Sequence, residues 1–424
     1  MKILIITIGT RGDVQPYLAL AKGLRAAGHQ MWLATDNTFE SFVADSGISF
    51  KAIKADPRQA MQEDVRKIGG NPVKFIRWLN RQFKPLARDF FHDVKEAAEG
   101  MDALLFGALA FPAFHVGQGL EIPALATYLQ PATPTRYFAA AAGQAPDWLP
   151  FRGQANKWIT ELSTFSVFAM TKGVVDEARQ ELLGLPRMPW RDYLKLNSAA
   201  TPIVYGYSPH VVPVPPDWGN WLHVVGYWFL DRDEGWGPPA ELANFLEAGP
   251  PPVYVGFGSM IDKGSAVVTR IVLDALAMTG RRAILLGGWG GLGAGDLPQN
   301  VLRINRAPHS WLFPQMAAVV HHGGAGTTAA ALRAGVPNVI VPFFADQPFW
   351  GSRVQVLGVG PQPIPRPKLT ADRLAGAIEM AATDQQMQLL AAELGQKIQA
   401  EDGVVAAVPL IERLLGAQRD ETSL

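Results

Sequence analysis

His321-His-Gly-Gly-Ala-Gly-Thr-Thr328 decides how this chain folds. An apolar run from Met316 to Val320 comes before it and reads as a buried strand. An alanine-rich stretch from Ala329 to Ala334 comes after it and reads as a helix. A glycine-rich turn therefore joins a strand end to a helix start. Amides at a helix start lack internal partners and carry partial positive charge, so they receive phosphate well. Glycines let a ligand approach the backbone closely. His322, Thr327 and Thr328 add side-chain donors. Further on, Asp346-Gln347 sets a carboxylate beside an amide, a pair suited to neighbouring sugar hydroxyls. A phosphate cradle followed by a hydroxyl reader implies a nucleotide-sugar site.

The rest of the chain alternates strand and helix signals around this turn. In the first half, strands are expected at 2–7, 30–34, 103–106 and 124–127. A helix is expected from Pro16, a favoured first-turn residue, to Gly28, with Leu18, Ala21 and Leu24 at helical spacing. A long helix is expected over 151–183. Residues 186–252 are rich in Pro and Trp and break the rhythm. A second set of strands follows at 253–257, 282–286, 301–304, 317–321 and 338–341, with helices at 371–382 and 385–401. Such alternation means parallel sheets covered on both faces, an α/β architecture of two doubly wound halves. Ligands then sit at the carboxyl ends of strands, in the cleft between halves.

Bulk properties agree. At 424 residues the chain exceeds one ordinary core. Its 48% hydrophobic and 18% charged content is globular. Net charge is zero, so no global field draws nucleic acid. There is no cysteine, which excludes disulfides and thiolate metal sites and suits a reducing cytosol. The apolar run after Met1-Lys2 is too short for a signal peptide and ends in Arg-Gly-Asp, so it reads as a strand. No stretch approaches the ~20 apolar residues of a membrane span. The nearest, from Ala103 to Phe114, is interrupted by Gly107 and Pro112.

The segment 306–360 resembles the donor-binding signature of UDP-glycosyltransferases of the GT-B fold. Within them, Pro308-His-Ser-Trp-Leu-Phe-Pro314, the 321–328 turn and Val341-Pro-Phe-Phe-Ala-Asp-Gln-Pro-Phe-Trp-Gly351 look most like the sterol 3-beta-glucosyltransferases. Ile8-Gly-Thr-Arg-Gly-Asp-Val-Gln-Pro16, Gly206-Tyr-Ser-Pro209, Val225-Gly-Tyr-Trp-Phe-Leu230 and Gly256-Phe-Gly-Ser-Met260 fit the same family, in order. The resemblance implies two Rossmann-like domains facing across a cleft. The acceptor domain with its linker would span 1–235 and the donor domain 236–400. Residues 401–424 would form a helix that returns to the first domain, with Pro409 breaking it.

The resemblance also implies roles. Asp13, in the loop after the first strand, would be the base that takes the acceptor proton. Gly12 would lie beside it. His322 would meet the donor diphosphate, with Gly324, Gly326, Thr327 and Thr328 supplying helix-start groups and Ser259 a hydroxyl from the facing loop. His309 and Trp311 would hold the nucleoside, Trp311 by stacking or else by packing. Asp346 and Gln347 would contact the sugar. Many plant relatives carry a glutamate where Ala330 stands here, eight residues after His322, so no ribose contact secures UDP over dTDP. The expected activity is inverting transfer of a hexose, most simply glucose, from a UDP-sugar co-substrate. The acceptor would be an apolar alcohol such as a sterol, triterpenoid or polyphenol. No bound cofactor or metal is needed.

Alternatives are a dTDP-dependent rhamnosyl- or aminosugar transferase, a nucleotide-sugar epimerase and a nucleotide-sugar binding module. Lys74, Arg77, Arg81, Lys84 and Arg88 fall on one helical face, with Phe75, Trp78, Leu79, Phe83, Leu86 and Phe90 mostly on another. This reads either as peripheral membrane contact through 72–91 or as a solvated surface helix. The chain would then be cytoplasmic, or cytoplasmic and bound at a membrane face. Seven of the 12 tryptophans fall between Trp148 and Trp236, which fits a flat apolar acceptor or ordinary packing. The Gly287–Gly295 run with Trp289 reads either as a loop at the cleft or as a flexible surface turn, and Asp231-Arg-Asp233 as a solvated turn.

Overall fold

The computed structural model describes residues 1–54, 84–139, 145–146, 148–193, 201–230, 236–258, 265–287 and 297–422. Two parallel sheets organise them. The first has seven strands: β1 (Lys2–Ile6), β2 (Gln30–Asp36), β3 (Ser49–Ile53), β4 (Ala103–Phe106), β5 (Ala124–Tyr128), β6 (Ile203–Tyr205) and β7 (Leu222–Val224). Their order is β3-β2-β1-β4-β5-β6-β7. The second has five: β8 (Val253–Gly256), β9 (Ala283–Leu286), β10 (Val301–Ile304), β11 (Ala318–His321) and β12 (Asn338–Ile340), in the order β10-β9-β8-β11-β12. In each sheet the chain leaves the middle for one edge and then returns to build the other. At those reversals, beside β1 and β8, loops open at the strand ends and leave a crevice. Central strands are apolar on both faces, as burial on both sides requires: Ile3 to Ile6 are all 0% exposed.

Sequence periodicity does not reveal β3, β6 or β7. The latter two have three residues each, and β3 mixes polar with apolar positions, so neither template registers. The first helix also begins earlier than expected, at Arg11 rather than Pro16. Thr10 precedes it, and the Asp13 carboxylate reaches back to the Thr10 N–H at 2.7 Å, half of a capping box. Pro16 lies inside the helix, where it removes only a bond to the Gly12 carbonyl near the helix start.

The final helix, Gly403–Thr422, is continuous through Pro409, contrary to the expected break. Ala407, Ile411 and Leu415 are fully buried among Leu18, Leu20 and Ile3 of the first half. Gly23 permits this contact, since a Cβ there would fall 2.3 Å from Val404 Cγ1. The Glu412 carboxylate meets His29 Nε2 at 2.8 Å. A second apolar bridge joins the halves where Phe138 packs on Phe349, ring centroids 5.6 Å apart, and Arg353 donates to the Val211 carbonyl.

Candidate active site

Three segments meet at the strand ends. The first carries Asp13, in the opening turn of helix Arg11–Ala26 rather than in a loop before it. Its Oδ2 accepts from Thr10 N–H at 2.7 Å and Thr10 Oγ1 at 3.0 Å, while Thr7 Oγ1 donates to its carbonyl. Capping and presentation at the strand end coexist. Gly9 is required here, because a Cβ would land 2.0 Å from Asp13 Cβ and 2.3 Å from its Oδ2. Neither Gly9 nor Thr10 stands out in the sequence as a support of this carboxylate.

The second segment is the glycine turn between β11 and helix Ala325–Arg333. His321, unassigned from sequence, locks it from beneath. Its Nδ1 accepts the Gly323 N–H at 3.1 Å, so Nε2 carries the proton and donates to Asn338 Oδ1 at 2.9 Å. Burial holds His321 neutral, its pKa lowered to about 3. Gly323 takes φ of 87°, and a Cβ there would strike Ile340 and crowd the Gln347 carbonyl. His322 Nδ1 is buried and has no hydrogen-bond partner among the described residues. Burial lowers its pKa to about 4, which leaves a neutral imidazole. Gly258, at φ of 60°, leaves only van der Waals space over its ring.

The two threonines differ. Thr328 is buried and its hydroxyl donates to the Gly324 carbonyl at 2.9 Å, so that proton serves the helix rather than a phosphate. Thr327 is half-buried beside it. Gly324 caps the helix, and Gly326 faces Gly12 so closely that a Cβ would sit 3.3 Å from Gly12 Cα. The turn bearing Asp13 thus rests directly on the candidate phosphate turn.

The third segment runs from Phe343 to Gln347. Trp350 Nε1 donates to Asp346 Oδ2 at 2.8 Å. Burial first, and the nearby Asp13 charge after it, raise Asp346 to about 6. The two carboxylates, one from each half, are therefore near enough for one charge to act on the other. Gln347 is buried, and its Oε1 accepts from Phe343 N and Phe344 N at 2.7 and 3.2 Å.

His309 stacks on Phe313 at 4.3 Å and meets the edge of Tyr254, with burial lowering its pKa to about 4 and the Arg11 charge adding to that. Trp311 is half-buried, and its ring meets Trp236 edge-on at 5.1 Å beside Leu312 and Phe313, a contact that either of its readings accommodates. Arg11 was missed from sequence. It lies over Phe42 at 4.5 Å, and desolvation followed by the Arg306 charge lowers its pKa.

Other expectations divide. Ser259, Trp289 and Asp231-Arg-Asp233 lie outside the described residues, as do 55–83. Of the 72–91 stripe, the described part belongs to helix Lys84–Ala98. Phe90 is buried in the core, Leu86 packs against it, and Arg88 pairs with Glu181 at 2.8 Å. Among the described residues, no helix is long and apolar enough to cross a membrane. His92, Asp93 and Glu96 bring ligand-type atoms within 4.8 Å of one another, a grouping not seen in the sequence; His92 and Glu96 are exposed. The tryptophans split by role. Trp218 stacks on Tyr205 and Trp228 meets Tyr17 edge-on, whereas Trp148 is 80% exposed and Trp158 54%.

Residues 3–138 match the glycosyltransferase family 28 N-terminal domain, and residues 272–411 the erythromycin biosynthesis protein CIII-like C-terminal domain. The sterol 3-beta-glucosyltransferase UGT80B1 of Arabidopsis thaliana is 37% identical over 98% of this chain and 68% of its own length. This chain belongs to the sterol 3-beta-glucosyltransferase family of glycosyltransferases. The corresponding enzyme of Emericella nidulans is 38% identical over 97% of this glycosyltransferase, which spans only 30% of that longer relative. Among solved structures, the kitacinnamycin glycotransferase superposes with a TM-score of 0.72 at 22% identity, covering 97% of this chain and 98% of its own. VinC, solved with dTDP, superposes at 0.67 and 18% identity, covering 98% and 100%. These likenesses establish the GT-B fold for this glycosyltransferase.

Proposed function

We propose that this enzyme transfers glucose from UDP-glucose to the hydroxyl of a sterol-type acceptor, with inversion at the anomeric carbon. The observation that carries this reading is the direct packing of Gly12, next to Asp13, on Gly326 of the phosphate turn. A carboxylate and a glycine turn packed this closely suit a base and a diphosphate cradle on either side of one reacting centre. The acceptor O–H gives its proton to Asp13 as the oxygen bonds to the anomeric carbon. The bond from that carbon to the β-phosphate oxygen breaks, and its electron pair leaves with UDP. His322 and the amides at the start of helix Ala325–Arg333 stabilise the departing charge. An inverting displacement needs base and leaving group on opposite faces of the sugar, and the two-sheet arrangement suits that demand.

The sterol acceptor follows from the relatives' names and the 37% identity across nearly the whole chain. Release of UDP from UDP-glucose, with and without a sterol, tests the reading, with products resolved by mass. A steryl hexoside formed only when both are present is expected. Turnover with dTDP-sugars and none with UDP-glucose would reject the donor assignment. Asp13→Asn should lower turnover by about 10²- to 10⁴-fold, the usual worth of a positioned base, with UDP affinity unchanged. Normal turnover in that variant would remove Asp13 from the chemistry.

A further inference from the structure

A cavity of about 240 Å³ lies between the two halves, beside the contact of Phe138 with Phe349. Arg136, Arg152 and Asn156 line it from the first half, and Ser352, Arg353 and Val356 from the second. Three arginine side chains thus share one space, and none of the described lining residues is acidic. The Asp217 carboxylate accepts the Arg136 N–H at 2.9 Å and the Thr135 hydroxyl at 2.6 Å, so it is committed to holding that segment.

The lining groups are fixed in place by the fold. Arg353 Nε and Nη2 both donate to the Val211 carbonyl, at 3.0 and 2.7 Å, which sets the plane of its guanidinium. Ala145 holds two more groups. Its carbonyl accepts Arg152 Nε at 3.2 Å, and its N–H donates to Asn156 Oδ1 at 2.8 Å. With that oxygen engaged, the NH₂ of the buried Asn156 is the end left to donate to a ligand. Gly153 lets the Arg136 carbonyl close on the helix start, since a Cβ there would sit 3.0 Å from that oxygen. The same helix, Arg152–Glu181, adds the partial positive charge of its first turn. Burial lowers the Arg353 pKa, so its charge is poorly served by water.

We propose that this cavity is a binding site for a phosphate group, separate from the donor turn, and that the bound group joins the two halves. Planar guanidinium forks match phosphate oxygens, and a phosphomonoester brings about two negative charges near pH 7 to the three positive ones. The space is several times the ~30 Å³ share of one water, which suits an ester group rather than a lone halide ion. Arg353 stands in the last turn of helix Gln347–Val356, away from the end that follows Asp346. A soluble phosphate ester and the headgroup of an anionic lipid share this chemistry.

Inorganic pyrophosphate is titrated calorimetrically into the full chain saturated with UDP, so that the proposed donor site is filled. Wild type should bind it. Arg136→Gln and Arg152→Gln should each weaken that binding about tenfold, as loss of a charge-assisted hydrogen bond does. Val356→Glu puts a carboxylate at a position 69% exposed, where the fold accepts it, and should abolish binding. Arg281→Gln removes the same charge outside the cavity, opposite Glu379, and should leave binding unchanged. Thermal midpoints without pyrophosphate verify that each variant is folded. Cosedimentation with phosphatidylcholine vesicles, with and without phosphatidic acid, separates the sources. Retention only on phosphatidic acid, lost in the Arg136→Gln/Arg152→Gln double variant, assigns a lipid headgroup. Pyrophosphate binding without retention assigns a soluble phosphate ester. Binding of wild type to neither probe, binding that survives the cavity substitutions, or an equal loss in Arg281→Gln would each overturn the proposal.

Discussion

At the residue scale, the site depends on where small side chains permit large consequences. Gly9 shows this most plainly, because the space its Cβ would need is filled by the Asp13 side chain. Gly9→Ala should therefore displace the carboxylate and cut kcat by about 10²-fold or more, with donor KM little changed. Steady-state kinetics with both substrates check this. Asp346 makes a separate prediction about pH. Its folded pKa, about 6, lies above the ordinary 3.8, so the folded state binds the proton more tightly than the unfolded state does. Its contribution to stability is therefore fully present below about 3.8, declines as pH rises to about 6, and is a net penalty beyond. Asp346→Asn should flatten this slope and raise the thermal midpoint at pH 8. The same substitution should abolish a fall in UDP-glucose affinity below about pH 6, where the wild-type carboxylate gains a proton.

At the element scale, the unit that matters is the β11 turn together with the helix after it. Glycines make the turn possible, but His321 and Asn338 hold it. The lock joins β11 to β12, neighbouring parallel strands, and Asn338 Nδ2 itself donates to the Val336 carbonyl at 2.8 Å. Asn338→Leu would strand the His321 Nε2–H in the core, at a cost of about 1–3 kcal/mol. Chemical denaturation should show that loss, and UDP affinity should fall with it. The strand, glycine turn and helix were legible in the sequence because apolar runs and glycines are local signals. The lock was not, because His321 and Asn338 meet only through strand pairing. Thr328 shows the same limit. A hydroxyl residue in a motif has two outlets, and here the Gly324 carbonyl takes its proton.

At the scale of the whole molecule, two sheets are held together by contacts remote in sequence. The last helix buries Ile411 completely against the first half. Ile411→Ala should destabilise the protein by about 2–4 kcal/mol, measured by thermal or denaturant unfolding, although it lies far from the cleft. Ser208 and His210 of the first half both reach Glu401 just before that helix, at 2.9 and 3.5 Å, beside the linker at Gly226. The chain thus crosses between halves at two adjacent places.

The sequence by itself determined the two doubly wound halves, the candidate phosphate turn at 321–328, and Asp13 and Asp346 as the carboxylates to watch. The halves, the turn and the Asp346-Gln347 pair are written in periodicity, glycine spacing and side-chain chemistry, all of which act over a few residues, and Asp13 was marked by the family resemblance. Tertiary structure alone decided what each side chain does there. It set Asp13 into a helix cap, turned Thr328 inward, buried Phe90, tied Gln347 to the backbone and buried His322 Nδ1 with no hydrogen-bond partner among the described residues. The physical reason is that a hydrogen-bonding group's role depends on which partner reaches it first. Those partners come from strands and helices that only the folded chain brings together.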